Sequence, residues 1–287
     1  MTPNNAPENM DIYNIFTSKI PQTIEDFDPR KKKLITFLNP HSYTLAFKNA
    51  VLFEGFDWIA PDGILLVFVL NLLKAATFKI KRFSCDMTSV VPYVFDIAIK
   101  NNLGVFFLGT DADSIKDTVS VFKSNFPGLE ISGFHDGYFA SDLQRQETVA
   151  SVLATNPDMI FIGMGTILQE SMALELRVAG YTGAIYTCGG FLHQTKREIN
   201  FYPQFIDKLN LRFFYRMYKE QGFLGRSVKT YPQFCYLILR KIFNRPEKKE
   251  GDTTINKHFR FYAARKKIKV VSRNNDIQLD DRICANS

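Results

Sequence analysis

The chain has 287 residues, 46% of them hydrophobic, and a formal net charge of +7. That is enough for one substantial domain with an appendage, or for two small domains. Its four cysteines (Cys85, Cys188, Cys235 and Cys284) are widely separated and form no C-x-x-C pair, so they read as scattered thiols of a reducing compartment rather than as a disulfide framework or a zinc site.

Residues 1–32 read as a polar, mostly irregular arm. They contain no basic start followed by an apolar stretch and a cleavage site, so the chain is expected to begin where its gene does and to work in the cytoplasm. Residues 33–38, "KLITFL", read as the first buried strand. Next comes "DWIAPDGILLVFVL" at 57–70, in which Asp62 stands between a proline and a glycine at the mouth of an apolar run. Two readings compete for it: a helix N-cap, or a carboxylate that does chemistry. The run at 64–73 is about half of the roughly 20 residues a membrane-spanning helix needs, so no bilayer crossing is expected.

Beyond it, short runs rich in Val, Ile and Phe recur at 105–108, 129–134, 159–162 and 184–187. Helical-length stretches at 114–126, 142–155 and 168–179 separate them. Strands spaced by such helices form β-α-β units, so the expected fold is α/β: a Rossmann-like parallel sheet with helices on both faces, over residues 33–195. No fixed-period repeat is visible.

Ligands of such sheets sit beyond the carboxyl ends of the strands. The segments there are "NPHS", "GTDADS", "GMGTILQE" and "CGGFLHQT", and three of the four carry glycine: Gly109, Gly165, Gly189 and Gly190. Glycine lets backbone amides approach an anion, so a diphosphate is a natural guest, with tight turns as the plainer alternative. Neither G-x-G-x-x-G nor a P-loop is present. "DAD" at 111–113 precedes a helix and reads more simply as its cap than as a metal site, and no metal or other cofactor is expected. The histidines have no zinc-like spacing, and His193 stays a site candidate only through its place in "CGGFLHQT".

Residues 196–245 hold eleven Lys/Arg against three Asp/Glu, together with twelve Phe/Tyr. All of the excess positive charge belongs to this segment. Lys208, Arg212, Arg216 and Lys219 recur at helical spacing, with Ile206, Phe213, Phe214 and Met217 on the other side. The expectation is an amphipathic appendage helix whose cationic stripe meets a nucleic acid or an anionic membrane, or is merely solvated. Residues 246–287 read as a flexible tail, although "FRFYAARKKIKVV" suits one more short element.

Several stretches in unbroken order over roughly 33–240 resemble the WecG/TagA/CpsF glycosyltransferase family: "TFLNP", "APDG", "KRFSCDMTS", "FFLGT", "GLEISGFHDGYF", "NPDMIFIGMGTILQE", "CGGFLHQT" and "YPQFIDKLNLRFFYRMYKE" followed by "RSVKTYP". The resemblance implies an inverting enzyme that moves a hexose or N-acetylhexosamine from a UDP-sugar, without a metal, onto a polyprenyl-diphosphate-linked saccharide in bacterial surface polysaccharide biosynthesis. It implies work at the cytoplasmic face of the membrane. By the same resemblance Asp62 is the general base, and Asn39, Arg82, Gln169 and Glu170 belong with the strand-end glycines and His193 on the donor side. Arg212, Arg216 and Arg226 fall in the appendage that closes the site on the diphosphate and docks on the anionic membrane surface. Three positions depart from the family pattern: Phe37 stands where a threonine is usual, Thr36 being one place earlier; Ile167 replaces a proline; and His193 replaces an aspartate.

Two other classes compete. A non-enzymatic nucleic-acid-binding protein would use the basic patch, but no recognisable binding module accompanies it, so no nucleic acid is expected. An NAD-type oxidoreductase would share the sheet but lacks the glycine fingerprint. Self-association through apolar surface beneath the appendage, giving a homo-oligomer, stays open.

Overall fold

The computed structural model describes residues 11–196, 199, 206, 212–219 and 223–243. The tail expected over 246–287 lies outside the described residues. Six strands make one sheet: β1 (Leu34–Leu38), β2 (Trp58–Pro61), β3 (Val105–Gly109), β4 (Ile131–His135), β5 (Met159–Gly163) and β6 (Ala184–Thr187). Their order is β2-β1-β6-β5-β3-β4, and every pairing is parallel. The Rossmann-like α/β expectation is met. The sequence reading had missed β2, four residues ending in the proline that precedes Asp62.

The inner strands β1, β3, β5 and β6 are buried at every residue, whereas the edge strand β4 is only partly covered. Helices on both faces explain why these strands read as continuous apolar runs rather than as alternation. The helices are α1 (Ile12–Ser18), α2 (Pro40–Lys48), α3 (Ala50–Glu54), α4 (Ile64–Leu72), α5 (Val90–Asn101), α6 (Ala112–Asn125), α7 (Asp142–Thr155), α8 (Leu168–Val178), α9 (Phe191–Thr195), α10 (Arg212–Lys219) and α11 (Phe223–Ile242). Phe95 of α5 and Phe122 of α6 meet edge to face at 5.3 Å, and Phe107 of β3 stacks on Phe161 of β5 at 5.8 Å, within one aromatic core.

Two expectations about the ends change. Residues 11–32 are no irregular arm: Ile12, Phe16 and Phe27 are buried, and the Tyr186 hydroxyl donates to the Phe27 carbonyl at 2.6 Å. Nor does α11 stand apart from the core. Its Phe234 is fully buried edge-on to Tyr43 of α2, and Lys241 bonds to Asp11 and Asn14. Asp111 caps α6 by accepting from the Ser114 amide at 2.9 Å, as "DAD" suggested.

Candidate active site

The pairing of β1 with β2 builds the site. Leu38 stands opposite Pro61, and the Asp62 amide donates to the Leu38 carbonyl at 2.7 Å, so Asn39 and Asp62 leave the sheet side by side. Gly63, at φ +89, then turns the chain into α4, with Pro40 and Asn39 at van der Waals distance from where a Cβ would lie. A side chain at that φ would be strained even though there is room for it. The cap reading of Asp62 fails, because Gly63 is the N-cap of α4 and no side chain caps that helix. Asp62 Oδ1 instead accepts from Ser84 Oγ at 2.5 Å. Ser84 is in place because the Phe83 amide donates to the Pro61 carbonyl at 3.0 Å, which lays residues 82–86 along the end of β2.

A cleft of about 220 Å³ opens over these residues. Asn39, Asp62, Arg82 and Asp86 line it from the sheet side, Arg212, Arg216 and Tyr231 from α10 and α11. Arg212 is held by a fork: Nη1 donates to Asp86 Oδ2 at 3.0 Å, and Nη2 bonds to Thr88 Oγ1. Asp86 in turn accepts from the Thr88 amide at 2.9 Å, so its carboxylate has a second anchor besides the arginine. The side chain of Arg212 is only 11% exposed. The stripe expected to face solvent or membrane therefore turns Arg212 and Arg216 into the cleft, with Phe213 beside them, while Phe214, Tyr218 and Lys219 are exposed. The side chain of Arg226 lies outside the described residues.

The electrostatics suit proton removal. Burial of the Asp62 carboxyl, and after it the charge of Asp86, push its pKa above the ordinary carboxylate value. Ser84, Arg82 and Arg212 pull the other way. Asn39 has a double role: its Oδ1 caps α2 by accepting from the Ser42 amide at 3.0 Å, and the residue lines the cleft.

The remaining donor-side candidates are not gathered here. Gln169 and Glu170 are buried rather than presented to the cleft, because they brace the sheet ends. Glu170 accepts from Thr36 Oγ1 at 2.9 Å, from Gln169 Nε2 at 2.8 Å and from the Ile167 amide at 2.5 Å, while Thr187 Oγ1 donates to Thr36 at 2.9 Å. Gln169 Oε1 accepts from the Gly189 amide at 3.0 Å. This network fixes the loop in which Ile167, at φ +80, holds a left-handed conformation unusual for a β-branched residue. Desolvation raises the Glu170 pKa despite its three donors.

Gly109, at φ +144, is required by close backbone approach, since a Cβ there would lie 2.3 Å from the Gly163 carbonyl oxygen. Gly165 (φ +81) and Gly189 (φ +55) open onto free space, whereas Gly190 has an ordinary φ. His193 sits beside them with Nδ1 3.2 Å from Thr110 Oγ1 and 3.7 Å from Asp111 Oδ2. Sequence reasoning missed Ser84, Asp86 and Tyr231. The first two stand in the quoted "KRFSCDMTS", where only the arginine attracted attention.

Comparison with known proteins gives a consistent picture. The profile described as "Glycosyl transferase WecG/TagA/CpsF family" matches residues 9–248. A UDP-Gal:alpha-D-GlcNAc-diphosphoundecaprenol beta-1,4-galactosyltransferase of Shigella boydii is 34% identical over 216 residues, covering 74% of this chain and 90% of that protein. N-acetylglucosaminyldiphosphoundecaprenol N-acetyl-beta-D-mannosaminyltransferases of Bacillus spizizenii and Bacillus subtilis are 28% and 26% identical, over 74% and 76% of this chain and 81% and 83% of theirs.

Proposed function

Since the chain belongs to the WecG/TagA/CpsF glycosyl transferase family and is a glycosyltransferase, we propose that it moves a hexose or N-acetylhexosamine from a UDP-sugar, with inversion, onto a saccharide carried by a polyprenyl diphosphate. The observation that supports this most directly is one cleft holding the raised-pKa carboxylate of Asp62 together with Arg82, Arg212 and Arg216. The acceptor hydroxyl gives its proton to Asp62 as its oxygen bonds to the anomeric carbon. The bond from that carbon to the diphosphate breaks, and its electron pair leaves on the UDP oxygen. The arginines meet the charge that develops there, a task that elsewhere falls to a divalent metal, so the reaction is proposed to need none.

The acceptor places the enzyme at a lipid surface. Among the described residues no helix is long and apolar enough to cross a membrane. We propose peripheral docking on the anionic inner face through α11, which shows Leu224, Val228, Tyr236 and Leu239 on its exposed side near Lys229, with Phe243 just beyond its end.

The test is UDP release from a panel of UDP-sugars, among them UDP-galactose and UDP-N-acetylmannosamine. It is run on N-acetylglucosaminyl-diphospho-lipid acceptors, with and without EDTA. Acceptor-dependent release that EDTA leaves unchanged is expected. If no donor is consumed, the transfer reading fails; if EDTA abolishes turnover, the arginines do not suffice.

A further inference from the structure

The sequence of α4, "ILLVFVLNL", contains no charge, and a helix apolar all round belongs inside a protein. This one is half outside. Leu66, Val67 and Leu70 are buried, but Ile64, Phe68 and Leu72 are 52%, 62% and 68% exposed, spaced four residues apart on one face. Its single polar side chain, Asn71, is turned inward, donating to the carbonyls of Val67 and Ile80 and accepting from the Ile80 amide. Nothing polar interrupts the exposed stripe. An uninterrupted row of large apolar side chains facing water marks a surface awaiting an apolar partner.

Its position says which partner. Asp62, Gly63, Ile64 and Leu65 follow one another in the chain, and all four line the cleft. The stripe thus starts at the cleft wall, beside the arginines that suit a diphosphate, and runs outward for about 12 Å at the helical rise. With the UDP diphosphate on Arg82, an amphiphile with its own diphosphate on Arg212 or Arg216 and its first apolar atoms on Ile64 has α4 as its path out. We propose that the Ile64-Phe68-Leu72 face of α4 binds the proximal isoprenoid segment of the lipid-linked acceptor. The inference rests on the proposed acceptor class and adds to it the subsite that reads the lipid chain.

The test compares two probes on the full chain, farnesyl diphosphate and inorganic pyrophosphate, by equilibrium binding. The unaltered protein is expected to bind farnesyl diphosphate at least about tenfold more tightly than pyrophosphate, from apolar contact alone. The double variant Phe68→Ser/Leu72→Ser is expected to lose most of that preference while binding pyrophosphate and UDP as before. Because both side chains are exposed, its melting temperature should stay unchanged. Equal binding of the two probes by the unaltered protein overturns the inference, as does a double variant that keeps the preference. Two further outcomes overturn it by assigning the face elsewhere: loss only of vesicle flotation makes it a bilayer contact, and loss only of self-association makes it an interface between copies. If no sugar is transferred to any acceptor but the farnesyl preference and its loss persist, the transfer reading falls and the lipid-chain subsite stands.

Discussion

Ser84 Oγ donates to Asp62 Oδ1 at 2.5 Å, joining the end of β2 to the segment that returns after α4. The bond commits one carboxyl oxygen and fixes the plane of the group, while Oδ2 makes no hydrogen bond among the described residues. The hydroxyl favours the charged carboxylate, whereas burial and Asp86 favour the neutral acid, and the second pair prevails. A base whose pKa lies nearer the working pH accepts a proton more readily than an ordinary aspartate.

Asp62 must be ionised to act, so kcat/KM of the unaltered enzyme should rise with pH through a value above the ordinary carboxylate range of about 4. Asp62→Asn should lower kcat by roughly 10²–10⁴ and abolish that acid limb, with UDP affinity retained. Turnover at the normal rate in this variant would remove Asp62 from the chemistry.

The neighbours of Asp62 should move the same limb in opposite directions. Asp86→Asn removes a negative charge that raises the Asp62 pKa, so the limb should shift to lower pH. Ser84→Ala removes a donor that favours the carboxylate, so the limb should shift to higher pH. The pH profiles of the two variants, measured side by side, decide the matter. Shifts of the same sign would mean that the limb belongs to another group.

Glu170 gives a prediction about stability. Its folded pKa is raised by burial, so between the unfolded value, about 4.3, and the folded one, the native state keeps a proton that the unfolded chain has lost. Stability should therefore fall as pH rises across that window, by up to about 1.4 kcal/mol per pH unit, and level off above it. Glu170→Gln, which resembles the protonated acid, should flatten this dependence in urea unfolding series run at several pH values. An unchanged slope would assign it to another carboxylate.

The order of β-α-β units was readable because buried parallel strands announce themselves as apolar runs, from "LITFL" to "AIYT". β2 was not, since its four residues end in a proline and run straight into the Asp62-Gly63 turn. The motif around Asp62 pointed to a carboxylate that lines the cleft, yet its orientation depends on Ser84, which only the fold brings near. Gln169 and Glu170 show the converse: a polar pair after a strand looks like ligand chemistry in a sequence, and the sheet turns both inward to Thr36 and Gly189. The helical spacing of Arg212 and Arg216 located a cationic face correctly, but which way that face points is set by Asp86 and Thr88, more than 120 residues away.

Arg212 supplies the last prediction, because its fork both anchors α10 over the cleft and places a positive charge near Asp62. Arg212→Ala leaves Asp86 without that cation and removes a charge that lowers the Asp62 pKa, so the acid limb of kcat/KM should move to higher pH. Loss of the charge-assisted bonds should also reduce kcat/KM by about 10- to 100-fold. Arg212→Lys restores the charge but not the planar fork that reaches Asp86 and Thr88 together, so it should return the limb toward its normal position while recovering little of the rate. Adding Asp86→Asn to Arg212→Ala should cost less than the two single losses combined, since each removes the other's partner. Strict additivity, with an unmoved limb in the alanine variant, would reduce the Arg212-Asp86 pair to a surface contact without influence on Asp62.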